Sequence, residues 1–292
     1  MAKHTHHDRT QKMKVRSAAF DLHKKGIARF DFRDPYHLAV TLSWPGFIGG
    51  VFAIAIVLNS IFAELYVLKP GAVQGLAPHD WLGGFFFSLE TLSTVGYGEM
   101  APASVYGHAV ASVEILLGMS FTAIFTGLLF VRFSKPRPRI LFADKAVITP
   151  HNGVPTLMIR IANGRLTMLT HASAKLSMIE IETTGEGHVF RRVIDLSLIR
   201  NDLPIFPLTW TLMHVIDETS PLFGLGAADL ARSQARFFVT VDARDSGLGA
   251  QIQDIGAFKY DQLVFGRRYA EAVSVDEQGR TVADLERLSL IE

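Results

Sequence analysis

Two long apolar stretches constrain this chain more than any other feature of its sequence. They run over residues 42–68 and 105–133, and each exceeds the roughly 20 residues that a helix needs to cross a bilayer. A soluble core helix of that length would carry a polar face, which these stretches mostly lack. The sequence therefore predicts two membrane-spanning helices.

A third apolar segment, residues 81–92, lies between the two spans and is too short to cross the membrane. Asp80 is placed to cap its first turn, and Pro78 lies just before it. The pattern predicts a short helix that enters the bilayer and stops. The backbone that follows such a helix is tolerated at that depth only where it lines a cavity or is buried in protein.

Basic residues are distributed unevenly around the spans. Lysines and arginines recur before residue 38 and again over residues 132–139, whereas only Lys69 lies between the spans. The positive-inside rule therefore places both termini in the cytoplasm, with the chain in the plasma (inner) membrane. No apolar core precedes residue 38, so a cleaved signal peptide is not expected. Residues 26–41 are amphipathic and predict a helix along the inner membrane surface.

Composition excludes several classes of function. The formal net charge is only +1, and basic residues are not massed along the chain, which argues against nucleic acid as a partner. The chain has no cysteine, which excludes disulfides, cysteine-ligated zinc and thiol catalysis. No arrangement of nucleophile and base, and no metal-ligand spacing, rises above background, so we expect neither an enzyme nor a cofactor.

Beyond Pro136 and Pro138 the chain changes to short β-type runs separated by turn signals such as Asn152-Gly153. The runs cover residues 156–162, 174–181, 189–199, 237–241 and 270–275. The pattern predicts a cytoplasmic all-β, immunoglobulin-like sandwich. The expected domains are residues 1–41 (N-terminus and interfacial helix), 42–134 (α-helical pore domain with two transmembrane helices and a re-entrant pore helix) and 135–292 (sandwich).

The segment Thr94-Val95-Gly96-Tyr97-Gly98 follows the short helix directly. It is the known signature of potassium-selective filters, in which backbone carbonyls replace the water around the ion. Gly96 and Gly98 permit backbone angles that a side chain would forbid, so successive carbonyls can point the same way. A plain glycine turn is the alternative, but the position between two spans favours a filter in which Thr94, Val95, Gly96 and Tyr97 bind K⁺.

One chain cannot close such a site. Two spans and one loop leave the filter open on three sides, and unpaired carbonyls that face lipid are costly. The sequence therefore predicts a homotetramer with the pore on its four-fold axis.

Five stretches carry a family resemblance: residues 43–45, 90–98, 114–119, 132–137 and 213–222. On these the chain resembles the inward-rectifier potassium channels, especially their prokaryotic members, over nearly its whole length. The filter alone indicates only a potassium channel, whereas Met213-His214-Val215-Ile216-Asp217-Glu218-Thr219-Ser220-Pro221-Leu222 is specific to the subfamily. We interpret His214 and Asp217 as structural.

The resemblance implies roles for residues of the second span. Gly118 is expected to be the hinge of the pore-lining helix, Thr122 the cavity position that governs rectification, and Phe130 the gate. Gly118 could instead permit close helix packing, and Thr122 could bond a neighbouring helix. Thr122 is neutral where strongly rectifying relatives have a carboxylate, so weak rectification is expected.

The resemblance also suggests a filter support and a lipid site. In many eukaryotic relatives an arginine pairs with the glutamate of the pore helix. Met100 occupies the position of that arginine here. Glu90 is therefore expected to brace the filter through other partners, such as backbone N–H groups. Basic residues below the second span are expected to bind anionic lipid head groups, with plain topology as the alternative. They are Arg132, Lys135, Arg137 and Arg139, with Lys24 and Lys25 as weaker candidates.

The sequence therefore predicts a potassium-selective channel that conducts passively, is gated at the inner helices and is modulated by lipid. Two alternatives remain, a poorly selective cation channel and a membrane-anchored sensor or scaffold that conducts nothing. A membrane enzyme would need a nucleophile or a metal set.

Overall fold

The computed structural model describes residues 11–14, 21–24, 33–136 and 138–292. Strands β1 (Gln11–Lys14) and β2 (Asp21–Lys24) pair with each other in antiparallel fashion. A compact helical unit ends at Lys135, and a compact β-rich unit begins at Pro136. The amino-terminal half of the predicted interfacial helix, up to residue 32, lies outside the described residues.

The helical unit is built from a short helix, two long helices and a re-entrant one. They are α1 (Pro35–Thr41), α2 (Trp44–Leu68), α3 (Trp81–Leu92) and α4 (Val105–Ser134). Two-residue strands β3 (Val73–Gln74) and β4 (Ala101–Pro102) pair with each other in antiparallel fashion. In the sequence, β3 precedes α3 and β4 follows it. Helices α2 and α4 are long and apolar enough to cross a membrane, which confirms the two predicted spans.

Local sequence explains where these helices begin. Each helix is preceded by a residue whose side-chain oxygen accepts a hydrogen bond from the backbone N–H three residues later. These residues are Asp34 for α1, Ser43 for α2, Asp80 for α3 and Ser104 for α4. This satisfies a donor that the first helical turn leaves free. Pro35 and Pro45 lie in the first turns of α1 and α2, where a missing N–H costs nothing.

A small aromatic core joins the three longer helices. Tyr66 on α2 and Phe87 on α3 are buried with ring centroids 4.8 Å apart, and Ala111 on α4 completes the cluster. Only 22% of the most apolar window of α2 and 11% of that of α4 is buried within the single chain. Most of each span is therefore available to lipid or to further protein.

The β-rich unit contains two five-stranded sheets. The first has the order β11-β7-β6-β14, with β5 also paired to β7, and the second has the order β10-β8-β12-β13, with β9 paired to β8. Their bounds are β5 (Ile140–Phe142), β6 (Ala146–His151), β7 (Val154–Asn163), β8 (Leu169–Thr183), β9 (Val189–Leu196), β10 (Asp202–Phe206), β11 (Thr209–Val215), β12 (Arg236–Asp245), β13 (Ala250–Lys259) and β14 (Leu263–Phe265). A short helix α5 (Ala227–Arg232) and the hairpin β15 (Val273–Val275) with β16 (Thr281–Ala283) complete the unit.

One core cluster is shared by the two sheets. Ile159 and Leu212 from the first sheet and Phe206 and Phe237 from the second are fully buried in it. Burial along β12 alternates residue by residue, as expected of a strand with one face on the core. The predicted fold class, a helical membrane domain followed by a β-sandwich, is confirmed.

The Asn152-Gly153 turn shows how local chemistry sets one register. Both residues have positive φ, 52° and 85°, and they connect β6 to β7 with His151 opposite Val154. Two left-handed residues in a two-residue loop make a turn whose twist matches the strands it joins. The strand expected over residues 270–275 is shorter than predicted, since only Val273–Val275 is extended and paired.

Candidate ion-filter site

The segment after α3 has an alternating backbone. Thr94, Gly96 and Gly98 have positive φ of 57°, 56° and 85°, whereas Val95 and Tyr97 between them do not. Alternation between left- and right-handed residues turns successive peptide groups toward one side. Glycine adopts such angles freely, but a β-branched threonine does so only under constraint. The backbone therefore has the form that a row of aligned carbonyls requires.

The N–H groups of this segment bond back to the end of α3. The main-chain carbonyl of Glu90 accepts from Val95 at 2.9 Å and from Gly96 at 3.4 Å, and that of Thr91 accepts from Thr94 at 3.1 Å. Within the described residues, no donor contacts the carbonyl oxygens of residues 94–97. The donors of the loop are thus satisfied by protein, while its acceptors remain available to a cation.

The side chains of Val95 and Tyr97 are largely exposed within one chain. Val95 is 54% exposed and Tyr97 is 78% exposed. Both side chains are therefore open to contact with lipid or with further protein.

Glu90 supports the loop through its backbone in this structure. Its carboxylate, half-buried, has no hydrogen-bond partner in the part of the chain that the structure describes, whereas its carbonyl accepts from the N–H groups of Val95 and Gly96. Met100 packs against the aromatic core of the helical unit. The bracing role of the Glu90 side chain stays a prediction.

Comparison with known proteins decides the family. The inward rectifier potassium channel C-terminal domain matches residues 140–292, and the ion channel family matches residues 49–135. The inward rectifier potassium channel Kirbac3.1 of Paramagnetospirillum magnetotacticum is 33% identical over 252 residues, which cover 86% of this chain and 85% of that protein. The chain belongs to the inward rectifier potassium channel family.

More distant relatives occur in animals. The ATP-sensitive inward rectifier potassium channels 15 and 10 of Homo sapiens are each 27% identical to this chain, over 72% and 70% of its length. The chain covers only 58% and 56% of those human proteins. The matched families and relatives are ion channels and not enzymes.

In this family member, the glycine at the predicted hinge lies against the pore helix. A Cβ atom at Gly118 would collide with the main-chain carbonyl of Leu92, the last residue of α3. The helix α4 runs without interruption through this point. Close packing is therefore one function of Gly118, and the hinge role stays a prediction.

The predicted cavity and gate residues lie along one face of α4. Thr122, Thr126 and Phe130 are spaced by four residues, which keeps them within an arc of about 80° on a helix. All three are exposed in the single chain, Phe130 by 72% of its surface. The geometry thus leaves this face open to a pore.

Arg132, predicted as a lipid ligand, has protein partners within the helical unit, and its lipid role stays a prediction. Its Nη1 donates to the carbonyl of Ala39 at 2.5 Å, and its Nη2 donates to that of Leu42 at 2.9 Å. The guanidinium also lies 4.6 Å from the Trp44 ring centroid and 4.5 Å from that of Phe47. Arg132 therefore caps the carboxyl end of α1 and joins it to α2 and α4.

The remaining members of the predicted lipid set have different surroundings. Lys135 at the end of the helical unit and Arg139 in the β-rich unit are exposed. Arg137, Lys25 and the side chain of Lys24 lie outside the described residues. A lipid role for this set stays a prediction.

Replacing Arg132 with glutamine is expected to destabilise the helical unit. The change leaves the carbonyls of Ala39 and Leu42 without their charged donor and removes the cation from two aromatic faces, which together stabilise by about 1.5–3 kcal/mol. Thermal unfolding of the purified full-length protein measures the effect. Arg139→Gln, at an exposed position, is the matched control, and equal unfolding temperatures for the two variants would contradict the prediction.

Hydrogen bonds hold the segment around His214, and the structural role interpreted from the sequence stays a prediction. The buried His214 ring places Nδ1 2.7 Å from the carbonyl of Ser197 and Nε2 2.8 Å from Oγ of Ser220. A carbonyl can only accept, so Nδ1 donates to Ser197, and the ring bridges Ser197 and Ser220. Hydrogen bonds from Thr219 lower the pKa of Asp217 by stabilising its carboxylate.

Sequence reasoning missed one group of buried polar side chains in the helical unit. Glu114 on α4 accepts a hydrogen bond from the Tyr66 hydroxyl at 2.6 Å and forms a second with Ser88 on α3. Ser88 also contacts Asn59 on α2 at 2.9 Å. A sequence signal is the presence of Asn59 and Glu114 within the apolar spans, where Glu64 and His108 also occur.

Proposed function

We propose that four copies of this chain form a channel that conducts K⁺ selectively and passively across the plasma membrane. The supporting observation is the row of unpartnered carbonyls over residues 94–97, on a backbone with alternating φ, at the end of a re-entrant helix. A dehydrated K⁺ needs oxygen ligands that replace its water, and carbonyl dipoles supply them. The names of the relatives agree with this reading.

Four-fold assembly follows from the cost of leaving those carbonyls unpaired. One chain supplies one wall of the filter, and its exposed Val95 and Tyr97 side chains lack the cover that neighbours would give. Closed cyclic symmetry places four such walls around a shared axis. The basic residues before α1 and after α4 support a cytoplasmic location for both termini.

Rubidium flux into liposomes tests the proposal. Potassium-loaded vesicles that contain the purified protein should take up Rb⁺ as K⁺ leaves down its gradient. Barium should block the uptake, and protein-free vesicles should show none. A bi-ionic potential should then favour K⁺ over Na⁺. Equal permeability would indicate a poorly selective cation channel, and absent flux from an assembled tetramer would indicate a membrane-anchored sensor.

We also propose that the channel rectifies weakly, because Thr122 offers no negative charge to hold a polyvalent cation in the cavity. Internal spermine should block outward current little in the natural protein. Thr122→Asp should introduce steep, voltage-dependent block, since four carboxylates would then face the pore. Thr122→Asn is the isosteric neutral control, and steep block of the natural protein would defeat the prediction.

We propose anionic lipid as a regulator acting on Lys135, Arg137 and Arg139. Their charges lie directly after the second span in sequence, where head groups of the inner leaflet are within reach. Rubidium flux at increasing fractions of anionic lipid should change less when Lys135 and Arg137 are replaced by glutamine. An unchanged lipid response would refute this assignment.

A further inference from the structure

Four polar side chains from three helices meet in the interior of the helical unit. Asn59 and Tyr66 from α2, Ser88 from α3 and Glu114 from α4 are each no more than 1% exposed. Three hydrogen bonds connect them, Tyr66 to Glu114, Ser88 to Glu114 and Ser88 to Asn59. The cluster is the polar junction between the pore helix and both spans.

The orientation of the Asn59 amide is determined by its own helix. Nδ2 donates to the carbonyl of Ala55 at 2.7 Å. A flipped amide would place two acceptor oxygens at that distance, which is repulsive. Oδ1 of Asn59 therefore faces the Ser88 hydroxyl and can only accept from it.

The number of protons in these hydrogen bonds then determines the protonation state of Glu114. Three hydrogen bonds need three protons, and the hydroxyls of Tyr66 and Ser88 supply two. The Ser88 proton goes to Asn59, so the bond between Ser88 and Glu114 requires a proton on the Glu114 carboxyl. Every atom in the cluster is satisfied only when Glu114 is a neutral acid that donates to Ser88 and accepts from Tyr66.

The surroundings of the cluster agree with a neutral acid. Within the described residues no lysine or arginine forms an ion pair with Glu114, and the nearest titratable group, Tyr66 on α2, is itself its hydrogen-bond donor. The α3 residue that contacts the carboxyl is Ser88, which carries no charge. An isolated carboxylate buried among apolar helices is costly, whereas a hydrogen-bonded acid is not.

We infer that Glu114 is a neutral carboxylic acid that positions the pore helix, and through it the ion filter. Ser88 precedes Glu90 by two residues on α3, and the Glu90 carbonyl holds the N–H groups of Val95 and Gly96. A helix transmits a displacement rigidly over so short a distance, so the bonds at Ser88 determine where the filter begins. This inference rests on the proposed potassium conduction for its functional consequence only.

The protonation state is tested without any conduction. A protonated carboxyl has an infrared C=O band at higher frequency than the bands of a carboxylate. The difference spectrum between the purified full-length protein and its Glu114→Gln variant, at neutral pH, should show that acid band in the natural protein alone. A difference spectrum with carboxylate bands instead would overturn the inference, whether or not the protein conducts.

The positioning role is tested by ion selectivity. Glutamine reproduces the neutral acid because its amide donates to Ser88 and accepts from Tyr66, so Glu114→Gln should keep the K⁺/Na⁺ permeability ratio within about twofold. Glu114→Leu and Ser88→Ala should each lower the ratio on the order of tenfold, because the pore helix loses its anchor. Ser112→Ala is the matched control, since that exposed hydroxyl bonds only the carbonyl of His108 on its own helix.

Particular results would contradict the positioning role. They are a Glu114→Gln variant as unselective as Glu114→Leu, or a Ser88→Ala variant as selective as Ser112→Ala. If the Glu114→Leu variant fails to assemble, the selectivity of the Ser88→Ala variant tests the positioning role. That substitution removes one oxygen atom and preserves the apolar contacts between the helices. If the natural protein proves unselective, the proposed function fails, while the infrared result still decides the state of Glu114.

Discussion

Alanine in place of Gly96 is expected to abolish rubidium flux through an assembled channel. Gly96 has a φ of 56°, a left-handed conformation that costs an L-residue roughly 1–2 kcal/mol. Relief of that strain rotates the peptide and turns a carbonyl out of the filter row. In the proposed tetramer four chains share the site, so the loss is multiplied, and flux should fall at least about 100-fold.

The measurement compares uptake into liposomes that contain equal amounts of tetramer. Gly127→Ala is the matched control, since Gly127 lies on α4 with open space around the position of a Cβ atom. It should conduct like the natural protein. Unaltered, potassium-selective flux through the Gly96→Ala variant would show that this backbone conformation is not required, and the proposed filter would be wrong.

Alanine in place of Gly118 is expected to destabilise the helical unit strongly. The added methyl group would collide with the main-chain carbonyl of Leu92, which cannot rotate away as a flexible side chain does. Separating α4 from α3 to make room costs about 1–3 kcal/mol per subunit, the usual cost of overpacking. Thermal unfolding of the tetramer should occur at a clearly lower temperature.

The same substitution separates the two roles considered for Gly118. Gly127→Ala, on the same helix, should leave the unfolding temperature unchanged or slightly higher, because alanine favours helix. If Gly118 acts as a hinge alone, Gly118→Ala would change open probability and leave stability equal to that of Gly127→Ala. That outcome would contradict the packing role.

Much of the helical unit could be predicted from local sequence. The bounds of α3, Trp81–Leu92, agree with the predicted helix because Asp80 supplies the cap and the loop begins where the apolar run ends. The first span begins at Trp44, two residues later than its apolar stretch, because Ser43 accepts the N–H of Gly46 as its cap. Length, apolarity and capping are properties of a few neighbouring residues.

The strands were harder to predict. Strand β13, Ala250–Lys259, alternates weakly because glutamine, aspartate and glycine interrupt its apolar residues, and no strand is predicted there. Its place beside β12 depends on a long antiparallel register, with Arg236 opposite Lys259 and Asp245 opposite Ala250. Pairing of this kind is decided by the whole sheet and not by the strand alone.

The candidate site also has features that local sequence predicts and features that it does not. The proposed filter motif is contiguous, so the sequence by itself predicted where an ion site would lie and that Gly96 and Gly98 would need positive φ. Thr94 is the exception, since its φ of 57° accompanies the hydrogen bond from its N–H to the carbonyl of Thr91. A threonine signals no such angle in isolation.

The sequence by itself determined two spans, a short helix between them and a β-rich domain, because each depends on composition within a short window. Only the tertiary structure decided that Arg132 caps α1, that Gly118 contacts Leu92, and that Ser88 contacts both Glu114 and Asn59. Those contacts join residues far apart in the chain. A lone polar residue in an apolar span gains its partner, and with it a defined proton, only when the helices pack.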